Sequence, residues 1–379
     1  MKLSLTAGVI AAALCQTDPG AAQTTDMSFK VGVTTRRFVP SEPFNWRGAR
    51  TYALITSIWY PAAADVREEP QLIGPPGAAL FEIGPAARNG AIARSPDRFP
   101  LLLLSHGTGG TAQSIGWLGT ALAAHGFVAA AVNHPGNNAL DGYTIEGFTL
   151  WGERAVDLSR VIDAMIAEPL FGPRLDPQRI GAAGFSIGGY TVLATAGAVP
   201  SVAHYRQFCD SPEADASCVA PPEFADLREK ARALADSDPA YATALRTEGR
   251  SYRDPRISAV FAMAPALGQA FAPDSLPTIA VPVSITAGAG DRIVPVRSSA
   301  QYLAAAIPGA ELTVLPGDVG HYVFVATCTE AGRAAFPPLC IDPPGVDRGT
   351  VQATAAGLAA TFFARHLAAA SPGASGGAR

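Results

Sequence analysis

Residues 179–190, Arg179-Ile180-Gly181-Ala182-Ala183-Gly184-Phe185-Ser186-Ile187-Gly188-Gly189-Tyr190, decide how the chain is read. Arg179 to Phe185 has the apolar character of a buried strand, and Ile187 to Ala198 that of a helix. A serine is thus pinned at a strand-to-helix turn between two glycines. Such a turn strains the serine backbone and lifts its hydroxyl above the end of the sheet. Gly184 and Gly188 must be small, because strand and helix approach closely there. The helix N-terminus also favours negative charge developing beside it. The pattern Gly-x-Ser-x-Gly recurs at Gly373-Ala374-Ser375-Gly376-Gly377, but no strand precedes that copy. Ser186 is therefore the candidate nucleophile, and Ser375 is a chance match.

Working outward, strands and helices keep alternating. Phe99 to Leu104 is a short all-apolar run, the mark of a strand covered on both faces. Thr111 to Ala124 reads as a helix, Phe127 to Val132 as a second buried strand, and Trp151 to Glu168 as an amphipathic helix. Downstream, Ile257 to Ala264, Ile279 to Ala287 and Leu312 to Leu315 read as strands. Arg297 to Ile307 is a helix between the last two, and Val351 to Leu367 a closing helix. Upstream, Phe29 to Val39 and Ala53 to Tyr60 are strand-like, and residues 62–98, rich in Pro, Gly and Ala, read as loops. This order predicts an α/β class, a mainly parallel central sheet flanked by helices. It breaks at residues 200–254, which are polar, carry two cysteines and show helical charge patterning at Ala225 to Leu234. That segment reads as a lid-like insertion. Residues 371–379 read as a disordered tail.

The chain has 379 residues, 48% apolar and 16% charged, enough to build one large core or two modest ones. Its net charge of −4 provides no basic surface for phosphates, which argues against nucleic-acid binding. Lys2, the apolar run Leu3 to Leu14 and Gly20-Ala21-Ala22 read as a cleavable signal over residues 1–22, so the expected location is periplasmic or secreted. The remaining residues, 23–379, read as one domain. The apolar run is short for a bilayer span, and no later segment is long and apolar enough for one. Loss of Cys15 with the signal leaves Cys209, Cys218, Cys328 and Cys340. Three pairings are possible, with local pairing, 209 to 218 and 328 to 340, the simplest. Their spacing does not suit zinc and no histidine cluster accompanies them, so neither a metal nor another cofactor is expected.

A serine is a weak nucleophile at neutral pH and needs a base, itself oriented by a third group. In strand–turn–helix nucleophiles of this kind, the acid and then the histidine follow along the chain. His106 and His134 precede Ser186, His125 and His366 lie at helix ends, and His204 lies in the insertion. His321, in a loop after Leu315-Pro316-Gly317, is the candidate base. Asp291 in Gly290-Asp291-Arg292 follows an apolar strand and lies between nucleophile and histidine in order, so it is the candidate acid. Asp318 is too close to His321 in sequence, and Asp254 precedes its strand. Acyl transfer also needs donors for an oxyanion. The loop Ser105-His106-Gly107-Thr108-Gly109-Gly110 follows a buried strand and lacks the Lys-Ser or Lys-Thr of a phosphate cradle. The expected oxyanion donors are the Thr108 and Ile187 N–H groups, with His106 bracing the loop. Trp117, Tyr143, Phe148, Trp151 and Tyr322 are candidate pocket residues.

Taken together, Leu-Ser-His-Gly-Thr-Gly-Gly at 104–110, His125-Gly126-Phe127, Asn133-His134-Pro135-Gly136 and Gly-Phe-Ser-Ile-Gly-Gly at 184–189 resemble an α/β hydrolase. More narrowly, residues 99 to 367 resemble predicted dienelactone hydrolases that shade into platelet-activating-factor acetylhydrolases. Asp254-Pro255-Arg256-Ile257 and Asp342-Pro343-Pro344-Gly345-Val346-Asp347-Arg348 add to that resemblance. The stretch Asp291 to His321 is similar to the acid–histidine segment of cutinase-like polyester hydrolases. Two departures matter. Dienelactone hydrolases use cysteine where this chain has Ser186. Acetylhydrolases place their acid after the preceding strand, where Met263-Ala264-Pro265-Ala266 has no carboxylate. The resemblance implies hydrolysis of a small-molecule, lipid or polymeric carboxylic ester, a lactone included. An acyltransferase using the same triad is the alternative, and a non-catalytic binding protein on the same scaffold a more distant one.

Overall fold

The computed structural model describes residues 29–41 and 43–369. The signal and tail readings lie outside them. Strands β1 (Lys30–Phe38) and β2 (Leu54–Ala62) pair antiparallel. Strands β3 (Glu69–Ile73) and β4 (Phe81–Arg88) occupy the stretch that composition marks as loop. Both are peripheral, and Pro70, Gly84 and Pro85 dilute their alternation; β3 pairs only with β4, an edge position that tolerates proline. Then come β5 (Phe99–Ser105), helix α1 (Gly116–Ala124) and β6 (Val128–Val132). A small ribbon of β7 (Asn137–Asn138) and β8 (Gly142–Tyr143) leads to α2 (Ile145–Thr149) and α3 (Glu153–Ala167). Strand β9 (Leu175–Phe185) and helix α4 (Ile187–Ala196) flank Ser186.

Residues 200–254 hold α5 (Val202–Cys209), α6 (Leu227–Ser237) and α7 (Pro239–Thr247). The sheet resumes with β10 (Ile257–Met263), β11 (Val283–Gly288) and β12 (Glu311–Leu315). Strand β11 starts four residues later than the apolar run suggests, because Pro282 has no N–H for the ladder. The helix before β12 opens with a π turn, Arg297–Gln301, before α8 (Tyr302–Ala306). The end of the chain adds β13 (Thr327–Cys328), α9 (Glu330–Ala335), α10 (Pro337–Cys340) and α11 (Arg348–His366).

Eleven strands form one sheet in the order β12-β11-β10-β9-β5-β6-β2-β1-β4-β13, with β3 beside β4. From β6 to β12 every pairing is parallel. Alternate residues of β5 serve two cores. Leu101 and Leu103 pack with Leu158 and Val161 of α3 and Leu193 of α4. Leu102 and Leu104 pack with Leu118 of α1 and Phe362 and Phe363 of α11 on the other face. Doubly covered strands therefore read as unbroken apolar runs. Bridges join Cys209 to Cys218 and Cys328 to Cys340. Among the described residues, no helix is long and apolar enough to cross a membrane.

The segment after α7 is tied to the body through Glu248, whose carboxylate accepts from the Gly152 N–H at the start of α3 and from the Tyr252 hydroxyl at 3.2 Å. Burial pushes the Glu248 carboxyl up to about 7 from 4.5. The folded state therefore holds its proton more tightly than the unfolded chain, so this stabilisation is complete below about 4.5 and is lost as pH rises through about 7. Glu248→Gln removes the dependence. Denaturant unfolding at pH 4.5 and 8 should show wild type losing roughly 1–3 kcal/mol more than the variant across that window. An equal pH response in both proteins would contradict the assignment.

Candidate active site

Ser186 has φ 57° and ψ −122°, a backbone conformation that non-glycine residues rarely adopt. The turn around it enforces this. The Ser186 N–H donates to the Met263 carbonyl at 2.9 Å, and its own carbonyl accepts from Tyr190 and Ala266 N–H groups. A Cβ on Gly184 would run into the Gly188 carbonyl, and one on Gly188 into the Ser105 carbonyl. The two glycines are therefore steric requirements, and α4 is pressed against the end of β5 through Gly188.

The turn brings Ser186 Oγ to 2.9 Å from His321 Nε2, and His321 Nδ1 lies 2.7 Å from Asp291 Oδ2. A carboxylate only accepts, so Nδ1 carries the proton and Nε2 is free to accept from the serine. Asp291 Oδ1 accepts from the Ile293 and Val294 N–H groups at 3.0 and 2.8 Å, which fixes the carboxylate. All three side chains are buried. Phe185 lies under the His321 ring, 4.8 Å between centroids. Asp291 follows β11, and His321 follows β12. Residues Met263 to Ala266, which lack a carboxylate, pack against the serine turn instead.

The loop after β5 lies beside the serine: a Cβ on Gly107 would stand 3.4 Å from Ser186 Cβ. In this loop the Gly109 N–H donates to Asn137 Oδ1 at 2.9 Å and the Gly110 N–H to the Gly107 carbonyl at 3.1 Å. Among the described residues the Thr108 N–H has no such acceptor. The Ile187 N–H is in the first turn of α4, where no intrahelical acceptor exists. His106 braces the loop, its Nδ1 donating to the Gly107 carbonyl at 2.7 Å.

The pocket candidates separate. Tyr143 is half-exposed and donates to the Gly109 carbonyl at 3.0 Å, and Tyr322 packs edge-on to His321 at 5.6 Å. Phe148 is buried behind Tyr143, at 5.1 Å. Trp117 does not line the site: it lies in the core beneath, its indole N–H donating to the Phe324 carbonyl at 2.9 Å. Trp151 is partly buried, its indole N–H donating to the Phe148 carbonyl at 2.8 Å. It packs against Tyr190 and Tyr205, under the insertion. Both tryptophans are large apolar surfaces with one donor; Trp117 is buried and Trp151 packs partly buried against the core, and each donates to a carbonyl.

Several residues of the site are not among the sequence candidates. Glu223 and Phe224 of the insertion approach the glycine-rich loop. Phe224 meets Phe148 at 5.5 Å, and a Cβ on Gly109 would stand 3.3 Å from Glu223 Cγ. Burial first, and then the Glu223 carboxylate, push the Tyr143 and Tyr322 phenols up. Behind the loop, Arg47, Arg154, Asp157, His134 and Asn137 form a buried polar cluster. Arg154 and Asp157 fall on the apolar stripe of α3 with Leu158 and Val161, which was the available signal. Among the described residues, no group of His, Cys, Asp or Glu converges to hold a metal. A cavity of about 370 Å3 between β1, β3 and β4 touches none of these groups.

Sheet order, serine turn and the succession of acid and histidine define the α/β-hydrolase class. The ferulic acid esterase from Streptomyces cinnamoneus shares this fold, with a TM-score of 0.59 over 94% of this chain and 96% of that one, at 18% identity. Within the class, residues 81–150 match the family described as platelet-activating factor acetylhydrolase, isoform II. That match includes the glycine-rich loop. Over 77 residues the chain is 38% identical to Lipase 1 of Moraxella sp. (strain TA144), covering 20% of this chain and about a fifth (21%) of that relative.

Gly188→Ala should force α4 away from β5. Its melting temperature should fall by more than about 5 °C, or the protein should fail to fold. Gly357→Ala on the exposed face of α11, where a new Cβ meets nothing within 4 Å, is the control and should be neutral or stabilising. Equal melting temperatures for wild type and Gly188→Ala would contradict the packing described.

Proposed function

We propose that the protein is a serine-dependent carboxylic ester hydrolase working through an acyl-enzyme on Ser186. The observation that carries this reading is the hydrogen-bonded line from Ser186 Oγ through His321 to Asp291, held at a turn that admits only glycine on either side. His321 Nε2 takes the hydroxyl proton as Ser186 Oγ attacks the ester carbonyl. Asp291 holds the imidazole tautomer and stabilises its cation. The Thr108 and Ile187 N–H groups receive the oxyanion. Collapse of the tetrahedral adduct expels the alcohol, protonated by His321, and water then repeats the sequence on the acyl-enzyme. The relatives' names, a lipase, an acetylhydrolase family and an esterase, support an ester as substrate, whether small molecule, lipid or polymer.

Tyr143, Tyr322 and Glu223 would shape the entrance, and the insertion would act as its lid. Export is part of the same reading. The two bridges suit an oxidising compartment, and the signal-like residues 1–22 would direct the chain there.

A p-nitrophenyl ester series from acetate to palmitate should give turnover that Ser186→Ala lowers by about four orders of magnitude or more, with its melting temperature unchanged. Undiminished hydrolysis by the variant would sink the proposal. Cys328 lies seven residues after His321, and its bridge partner Cys340 precedes Arg348, which donates to the Val325 and Ala326 carbonyls. Mild reduction should therefore cut ester turnover before the core unfolds. Activity that follows global unfolding would count against this role for the bridge.

A further inference from the structure

Arg154 is almost completely buried on α3, and its guanidinium touches both segments that border the nucleophile. On one side Nη2 donates to the His106 carbonyl and, at 3.3 Å, to Ser105 Oγ. Nη1 donates at 3.2 Å to Asn137 Oδ1, the same oxygen that receives the Gly109 N–H. On the other side Nε donates at 3.0 Å to Thr191 Oγ1, which in turn donates at 2.8 Å to the Ile187 carbonyl. One planar group thus spans the loop that presents Thr108 and the first turn of α4 that presents Ile187.

Its charge lacks a dedicated counterion. The nearby carboxylate, Asp157, is bidentate to Arg47 Nη2 at 2.9 and 2.7 Å and also accepts from His134 Nδ1 at 2.7 Å. Burial first, then Arg154, hold His106 and His134 well below the usual imidazole range, so both are neutral. Burial lowers Arg154 only to about 9, so it stays cationic at neutral pH. Two guanidiniums therefore face one carboxylate inside the protein. Burying an excess cation is costly, and a scaffold with no need of it would be served by apolar residues. A positive charge fixed in a low-dielectric region favours negative charge forming nearby.

We propose that Arg154 is a positioning residue for the oxyanion site, clamping the Thr108 loop to the first turn of α4 and adding a fixed positive charge behind them. The proposal rests on the ester-hydrolase reading for its consequence in catalysis, but the clamp itself is a structural claim with its own readout. Lysine keeps the charge and loses the fork, so it engages one wall at a time. Thr191→Val keeps the shape and cuts only the link to α4.

The experiment compares wild type, Arg154→Lys and Thr191→Val by hydrogen–deuterium exchange and by steady-state hydrolysis of p-nitrophenyl butyrate, with rates normalised to active sites counted by burst titration. Faster exchange confined to peptides covering 105–110 and 187–191 is expected in both variants. For Arg154→Lys, kcat should fall about 10–100-fold with KM changed less than about 3-fold; for Thr191→Val the kcat loss should be roughly 3–10-fold. Unchanged exchange in those two segments overturns the clamp. So does unchanged kcat per active site, or a loss carried by KM alone. Wild-type hydrolysis that does not depend on Ser186 defeats the enzymatic reading instead, and the exchange result still decides whether Arg154 joins the two segments. If Arg154→Lys does not fold, Thr191→Val decides both readouts.

Discussion

The contact between α4 and the end of β5 sets the geometry of everything around it. Gly188 lies so close to the Ser105 carbonyl that no side chain fits between them. Ser186 is driven into a left-handed backbone conformation to make the turn. Conformational strain of this kind costs roughly 1–3 kcal/mol and persists only where surrounding structure over-determines it. Here that structure is the parallel array β5-β9-β10, with hydrogen bonds from Ser186 to the end of β10 and a glycine on each side. The same array ends β11 and β12 alongside, so Asp291 and His321 emerge next to the serine.

A second layer of organisation lies behind the first. Ser105, His134 and Asp157 repeat the spacing of the serine line, with 2.9 Å between hydroxyl and imidazole and 2.7 Å between imidazole and carboxylate. All three are fully buried, so their chemistry is confined to holding one another. This cluster anchors the glycine-rich loop from below, while Tyr143 and the insertion residue Glu223 border it from above. The loop is thus fixed from both sides by side chains carried on α3, β7 and β8.

Much of this was readable in the chain because its cause is local. The strand–serine–helix turn, the apolar runs of β5 and β6, and the order of Asp291 and His321 all follow from short-range pattern and chain direction. Residues 62–98 resisted reading because Pro, Gly and Ala mask the alternation of peripheral strands. Trp117 and Trp151 are candidates because their segments lie beside strand ends. Three-dimensional packing turned Trp117 toward Phe324 and Trp151 toward Tyr205. Arg154 and Asp157 were hidden for a different reason. A charge on an apolar stripe acquires meaning only when its partners, Arg47, His134 and Asn137, arrive from distant parts of the chain.

The central claim is that Ser186, and no other serine, is the activated nucleophile. Peptide mass spectrometry after brief treatment of the folded protein with a fluorophosphonate tests it most directly. A single covalent adduct is expected on the peptide containing Ser186, absent when the protein is unfolded first. An adduct on a different residue, or none at all while ester turnover continues, would contradict it.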